Sequence, residues 1–145
     1  MMHQRSNTLA TLLTYSGTLP LIACVITVLL QPDIVYTGLF ALTYGATIIS
    51  FICGIHWAAH LFFPEKCSRN LLITSNVVTL AAWVSLLLTS PQSVSFLLQI
   101  FCFLYLLTLD MKLRVAGIIP EWFYRLRRNA SIIVVLCLSV LAGLA

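Results

Sequence analysis

The chain is predicted to be an all-α integral membrane bundle of five transmembrane helices, and three observations carry that prediction. Apolar residues make up 61% of the sequence and charged residues 8%, with a mean hydropathy of +1.04. The apolar residues gather in five runs divided by short polar connections, and the basic residues fall in connections on one side only. A soluble domain is close to half apolar and a quarter charged, and 145 residues cannot enclose this much apolar surface as a core in water. A water-soluble globular protein is therefore excluded.

The runs cover about residues 8–30, 34–63, 71–88, 93–109 and 129–144. A span needs roughly 20 residues at a rise of about 1.5 Å each, so the second run is long enough to tilt or protrude and the last two are short. The fifth gains length at its start: Pro120 suits a first helical turn and Glu121 suits the positive end of the helix dipole, so one helix is expected from Pro120 through Leu144. Residues 110–128 then form an interfacial basic-aromatic segment. The connections are too short to fold alone, no phosphate-binding glycine pattern occurs, and no internal repeat is evident.

The first run contains a competing signal. Leu21-Ile22-Ala23-Cys24 has the form of a lipoprotein cleavage site. A mature lipoprotein continues with a polar tether, whereas Cys24 is followed by Val25-Ile26-Thr27-Val28-Leu29-Leu30, so a retained helix is expected. Intact-mass measurement should give about 16.1 kDa for this chain. A species starting at an acylated Cys24 would overturn that expectation. The other cysteines, Cys53, Cys67, Cys102 and Cys137, have no metal-site spacing, and most of the five lie in apolar runs, where cysteine acts as a small hydrophobe; no disulfide framework is implied.

Charge sets the orientation. The net charge of +4 arises from Arg5, Lys66, Arg69, Lys112, Arg114, Arg125, Arg127 and Arg128 against Asp33, Glu65, Asp110 and Glu121. With the amino terminus inside, all eight basic residues lie on the inner side, as the positive-inside rule requires, and the carboxyl terminus lies outside. Flanking apolar segments in this way, they suit headgroups rather than nucleic acid. The amino-terminal residues lack the Arg-rich, Ser-rich amphipathic stretch of a mitochondrial presequence, which points to a bacterial inner membrane, or to the mitochondrial inner membrane if the protein is eukaryotic.

Polar side chains inside the spans are costly unless paired, so function is first sought there. They gather in the inner half: Thr14, Tyr15 and Ser16 in the first span, His56 and His60 in the second, Ser75 and Asn76 in the third, Asp110 at the end of the fourth. They are expected to share one inward-facing pocket. The outer half contributes mainly Ser85 and Gln99. His56 and His60, at i and i+4, share a helix face and are weak candidates for a metal or haem site, which would need a third ligand from Asp110 or Glu65; interhelical hydrogen bonding is the commoner role. Asn76 and Asp110 are the candidate partners of His56.

Ala46, Ser50, Gly54 and Ala58 form a small-residue stripe suited to close helix packing, with Gly45, Ile52 and His56 roughly opposite. Asp110 stands four residues before Arg114, the spacing of an interfacial ion pair. Trp122, Phe123 and Tyr124, followed by Arg125, Arg127 and Arg128, read as an aromatic belt with basic interfacial anchors, beside which a headgroup or quinone-head site is the less common alternative.

Tyr15-x-Gly17-x-x-Pro20, Tyr44-Gly45-Ala46 through Gly54-Ile55-His56-Trp57, and Asp110 with Ala116-Gly117-Ile118-Ile119-Pro120-Glu121-Trp122-Phe123-Tyr124 together give the chain its resemblance to an uncharacterised family, domain of unknown function 3429. That family includes transmembrane protein 69 of animal mitochondria. The resemblance covers nearly the whole chain; the Gly54 to Trp57 and Ala116 to Trp122 segments are its most specific parts, and His60 is less characteristic. It implies a small inner-membrane protein of five helices and no established activity.

Two function classes follow. The first is a non-enzymatic accessory or assembly subunit of a membrane complex, partnered by membrane lipids and by another membrane protein or further copies of itself. The second is a quinone-, lipid- or haem/metal-binding redox protein using an inner-leaflet site around His56, with Trp57, Asn76, Asp110 and Tyr15. The cofactor is unknown on either reading. A small-solute permease ranks third, because five helices without a broken pair give little evidence of a pathway.

Overall fold

The computed structural model describes residues 2–31, 34–68, 70–88 and 90–145. The elements are α1 (Met2–Ser16), α2 (Leu19–Leu30), α3 (Ile34–Phe62), α4 (Asn70–Leu87), α5 (Gln92–Val115) and α6 (Glu121–Leu144), with no strand among the described residues. They make five helical spans long and apolar enough to cross a membrane, α1 and α2 together forming the first.

The first span is thus interrupted, against the expectation of unbroken helices, and Pro20 supplies the reason. Proline has no N–H to donate to the carbonyl four residues back, and its ring crowds that turn. The Thr18 N–H accordingly tightens onto the Tyr15 carbonyl at 3.0 Å. The Gly17 carbonyl, at the break, accepts from the Tyr44 hydroxyl of α3 at 2.8 Å. A backbone group that lipid cannot satisfy is thereby satisfied within the protein, and the break ties α1 and α2 to α3.

Helix α3 is central, packing against α2, α4, α5 and α6. Ala41, Leu42, Ala46, Ile49, Ile52 and Cys53 of α3 meet Phe96, Cys102, Phe103 and Leu106 of α5, and Val134, Leu138 and Leu141 of α6, in one core. Large apolar residues such as Leu12, Phe51, Phe62 and Phe101 point outward, as they do where the solvent is hydrocarbon. The small-residue stripe of α3 does not serve internal packing along its length. Ala46 is buried and Ala58 half-buried, but Ser50 and Gly54 are exposed, and a Cβ at Gly54 would meet nothing within 4 Å.

The closest approach runs along the other face. Gln99 of α5 lies over Gly45 of α3, with its amide nitrogen donating to the Leu42 carbonyl at 2.8 Å and to the Ser85 hydroxyl of α4 at 2.9 Å. One heptad away, Gln92 lies over Gly38 and donates to the Val35 carbonyl at 3.1 Å. Two glutamines seven residues apart thus clamp two glycines seven residues apart, each reaching a carbonyl of α3 that the missing side chain leaves accessible.

The turn after α5 is dictated by Ala116-Gly117-Ile118. Gly117 has φ of +77°, the left-handed conformation that glycine adopts without Cβ strain. Its N–H bonds the Arg114 carbonyl and that of Ile118 bonds the Leu113 carbonyl, each at 3.0 Å, which is the Schellman pattern that ends a helix. Pro120 then stands just ahead of α6, one residue outside the helix, and not within its first turn. The reversal pairs α5 with α6 in antiparallel fashion and fixes which residues of the two lie level.

Candidate functional site

Asp110 lies five residues before the end of α5, Arg127 six after the start of α6, and His56 six before the end of α3. At about 1.5 Å per residue all three sit roughly 8–9 Å in from the same, basic end of the bundle. They meet there. The His56 Nε2–Asp110 Oδ1 distance is 2.8 Å, and Arg127 donates from Nε at 3.2 Å and Nη2 at 3.1 Å to Asp110 Oδ2. His56 is fully buried, and the Asp110 and Arg127 side chains are 3% and 11% exposed.

Proton placement follows from the bonds. Asp110 faces a permanently charged guanidinium, so it is the ionised acceptor and His56 donates from Nε2. With the imidazole neutral, the triad is one anion and one cation, and carries no net charge. His56 Nδ1 is buried without a partner; as a bare lone pair it is cheaper to leave there than an N–H would be.

Arg127 was expected to be an interfacial anchor and instead turns inward. Its neighbours on α6 explain why: Tyr124, Ser131, Val134, Leu138 and Leu141 are buried at three- and four-residue spacing, and Arg127 occupies a position in that seam. Arg125 and Arg128, off the seam, are exposed, with Arg125 on Glu121 at 3.2 Å. Trp122 is exposed and stacks edge-on with Phe123, whereas Tyr124 is buried beneath the Arg114 guanidinium, 4.4 Å from its ring centre. The pairing of Asp110 with Arg114 does not form. Both carboxylate oxygens of Asp110 are occupied by His56 and Arg127, and Arg114 crosses the turn to Glu121 at 3.4 Å.

The remaining polar residues do not share one pocket. Trp57 donates to Asn76 of α4 at 3.2 Å on a more exposed side of α3, and Tyr15 accepts from Asn129 at 3.4 Å between α1 and α6. Ser75 bonds back to the Leu71 carbonyl and Thr14 to that of Ala10, as intrahelical hydroxyls commonly do. Only Asp110, of the two candidate partners, reaches His56. His60 Nδ1 is buried without a partner, and no group of three His, Cys, Asp or Glu is placed to hold a metal among the described residues.

Residues 6–143 match the model of a family described as a protein of unknown function, DUF3429. The chain belongs to that family. No curated protein and no solved structure matches it. In this DUF3429 protein the Gly54 to Trp57 segment carries the triad's histidine, and the Ala116 to Trp122 segment is the turn that levels Arg127 with Asp110. The helix segment and the turn thus converge on one buried ion pair.

Proposed function

We propose that this DUF3429 protein is a non-enzymatic accessory or assembly subunit of a membrane complex, with its amino terminus and basic connections on the inner side of a bacterial cytoplasmic membrane, or of the mitochondrial inner membrane if eukaryotic. The observation that carries this reading is that the ionised groups at the centre are spent on one another. His56, Asp110 and Arg127 join α3, α5 and α6, and the carboxylate has both oxygens occupied. One face left free is the exposed side of α3, where Ser50 and Gly54 leave room for the backbone of a neighbouring helix.

Four measurements test it. Gentle extraction should copurify a stoichiometric membrane protein or further copies of the chain, and Gly54→Leu should release it while the isolated protein melts as wild type does. His56→Gln, which retains a donor near the Nε2 position, should keep folding and assembly better than His56→Asn. His56→Leu should weaken helix association by about 1 kcal/mol, the scale of membrane hydrogen bonds. Stoichiometric metal or haem in wild type, lost in His56→Asn, would overturn the non-enzymatic reading. For orientation, a reporter fused after Ala145 should be active only where export is required; activity confined to the cytoplasm would reverse the assignment.

A further inference from the structure

A groove of about 370 Å³ runs beside the triad between α1, α3 and α6, at the small end of the range for ligand pockets. Its walls are mainly Ile48, Ile52, Ile55, Phe103 and Val134, with Phe51, largely exposed, at its edge. Two polar side chains of α6 line it one helical turn apart, Arg127 and Ser131. Arg127 uses Nε and Nη2 on Asp110, and Nη1 makes no hydrogen bond among the described residues. Ser131 is 5% exposed. The other buried serine and threonine hydroxyls, Thr18, Ser75, Ser85 and Ser95, each donate to a backbone carbonyl. Ser131 alone among them makes no hydrogen bond within the described residues, although the Arg127 carbonyl lies four residues back and the same bond is made by Ser139 to Val135. A hydroxyl on a buried serine that forgoes this bond and lines a cavity is free to donate to an acceptor bound there.

We propose that this groove binds one neutral prenyl lipid bearing ring carbonyls, a benzoquinone with an isoprenoid tail, whose oxygens accept from Ser131 and Arg127 Nη1 while the tail lies along Ile48, Ile52 and Val134. Charge selects the neutral head. Asp110 already neutralises Arg127, so a phosphate here would be an extra anion roughly 9 Å inside the span, where unpaired charge is expensive. Carbonyl oxygens take the two free donors and add no charge. The volume suits one ring and the start of a single chain better than two acyl chains. The assignment concerns binding and is independent of the accessory reading; it places the ligand at Arg127 and Ser131, and not at His56.

The test uses the full chain in nanodiscs of neutral lipid and a benzoquinone carrying two isoprene units with a photoactivatable group at the tail end. Peptide mapping should place the label on residues 48–55 or 130–134, and unlabelled quinone should compete it away. Ser131→Ala, too mild to unfold the helix, should weaken binding roughly two- to tenfold, the value of one hydrogen bond. Ala130→Phe, filling the groove, should abolish labelling. Labelling that both variants leave unchanged overturns the proposal. So does competition by phosphatidylglycerol as effective as that by quinone, which would make the occupant an anionic lipid. Loss of a copurifying protein in Gly54→Leu with quinone labelling intact would separate the two proposals.

Discussion

Asp110→Ala is expected to be the most damaging single substitution in this protein. It leaves the Arg127 guanidinium without its counter-ion and the His56 Nε2–H without its acceptor, both in the interior. Removing one partner of a buried pair costs about 3–5 kcal/mol, because the remaining charge is stranded where neither water nor lipid solvates it. Most of the stability of a small bundle is of that size. Measured by reversible unfolding in detergent, or by the folded fraction on size exclusion, Asp110→Ala should lose most native protein. Asp110→Asn should fail nearly as badly, since the amide fits the space and can accept a hydrogen bond but carries no charge. The double variant Asp110→Leu, Arg127→Leu should recover the part of the loss owed to the stranded charge, because apolar replacement of a buried pair is often close to neutral, while His56 still lacks its acceptor. An Asp110→Ala protein that unfolds within about 1 kcal/mol of wild type would show that the triad contributes little to the fold.

The five spans were legible because hydropathy and length are properties of single segments, and each run in the sequence overlaps one helical span. His56 and Asp110 were legible as costly residues at related depths, with Asn76 open beside Asp110 as the partner. Arg127 was not, since an arginine within Arg125-Leu126-Arg127-Arg128 reads as a juxtamembrane anchor by composition. The signal that distinguishes it is helical phase: Tyr124, Arg127, Ser131, Val134 and Leu138 step by three and four, which is the period of a buried seam. Pro20 and Gly117 mark the break and the turn in the sequence, although the expected spans are unbroken. What they could not announce was the partner, Tyr44 in one case and the levelling of α6 against α5 in the other, because those depend on the whole bundle. Small-residue spacing misled for a related reason. Gly45 and Gly54 are alike in sequence, and only the bundle decides which one faces a neighbouring helix.

Those glycines give the second large effect, with its controls built in. A Cβ at Gly45 would collide with Gln99 Oε1. Gln99 is fully buried and held by the Leu42 carbonyl and the Ser85 hydroxyl, so the amide cannot swing aside without breaking both bonds. Gly45→Ala should therefore destabilise by about 1–3 kcal/mol, the scale of overpacking or of a buried amide left unpaired. Gly38→Ala meets the same chemistry, with Gln92 Oε1 at 2.6 Å from the added Cβ. Gln92 is only half-buried, at the start of α5, so it can move, and the loss should stay well below that at Gly45. At Gly54 the added methyl meets nothing within 4 Å, and alanine should be neutral or stabilise by up to about 1 kcal/mol through helix propensity. Gly45→Ala combined with Gln99→Ala should recover part of the deficit, since the collision disappears with the amide. Equal unfolding midpoints for the three alanine variants would mean that the α3–α5 contact is not set by the glutamine clamp.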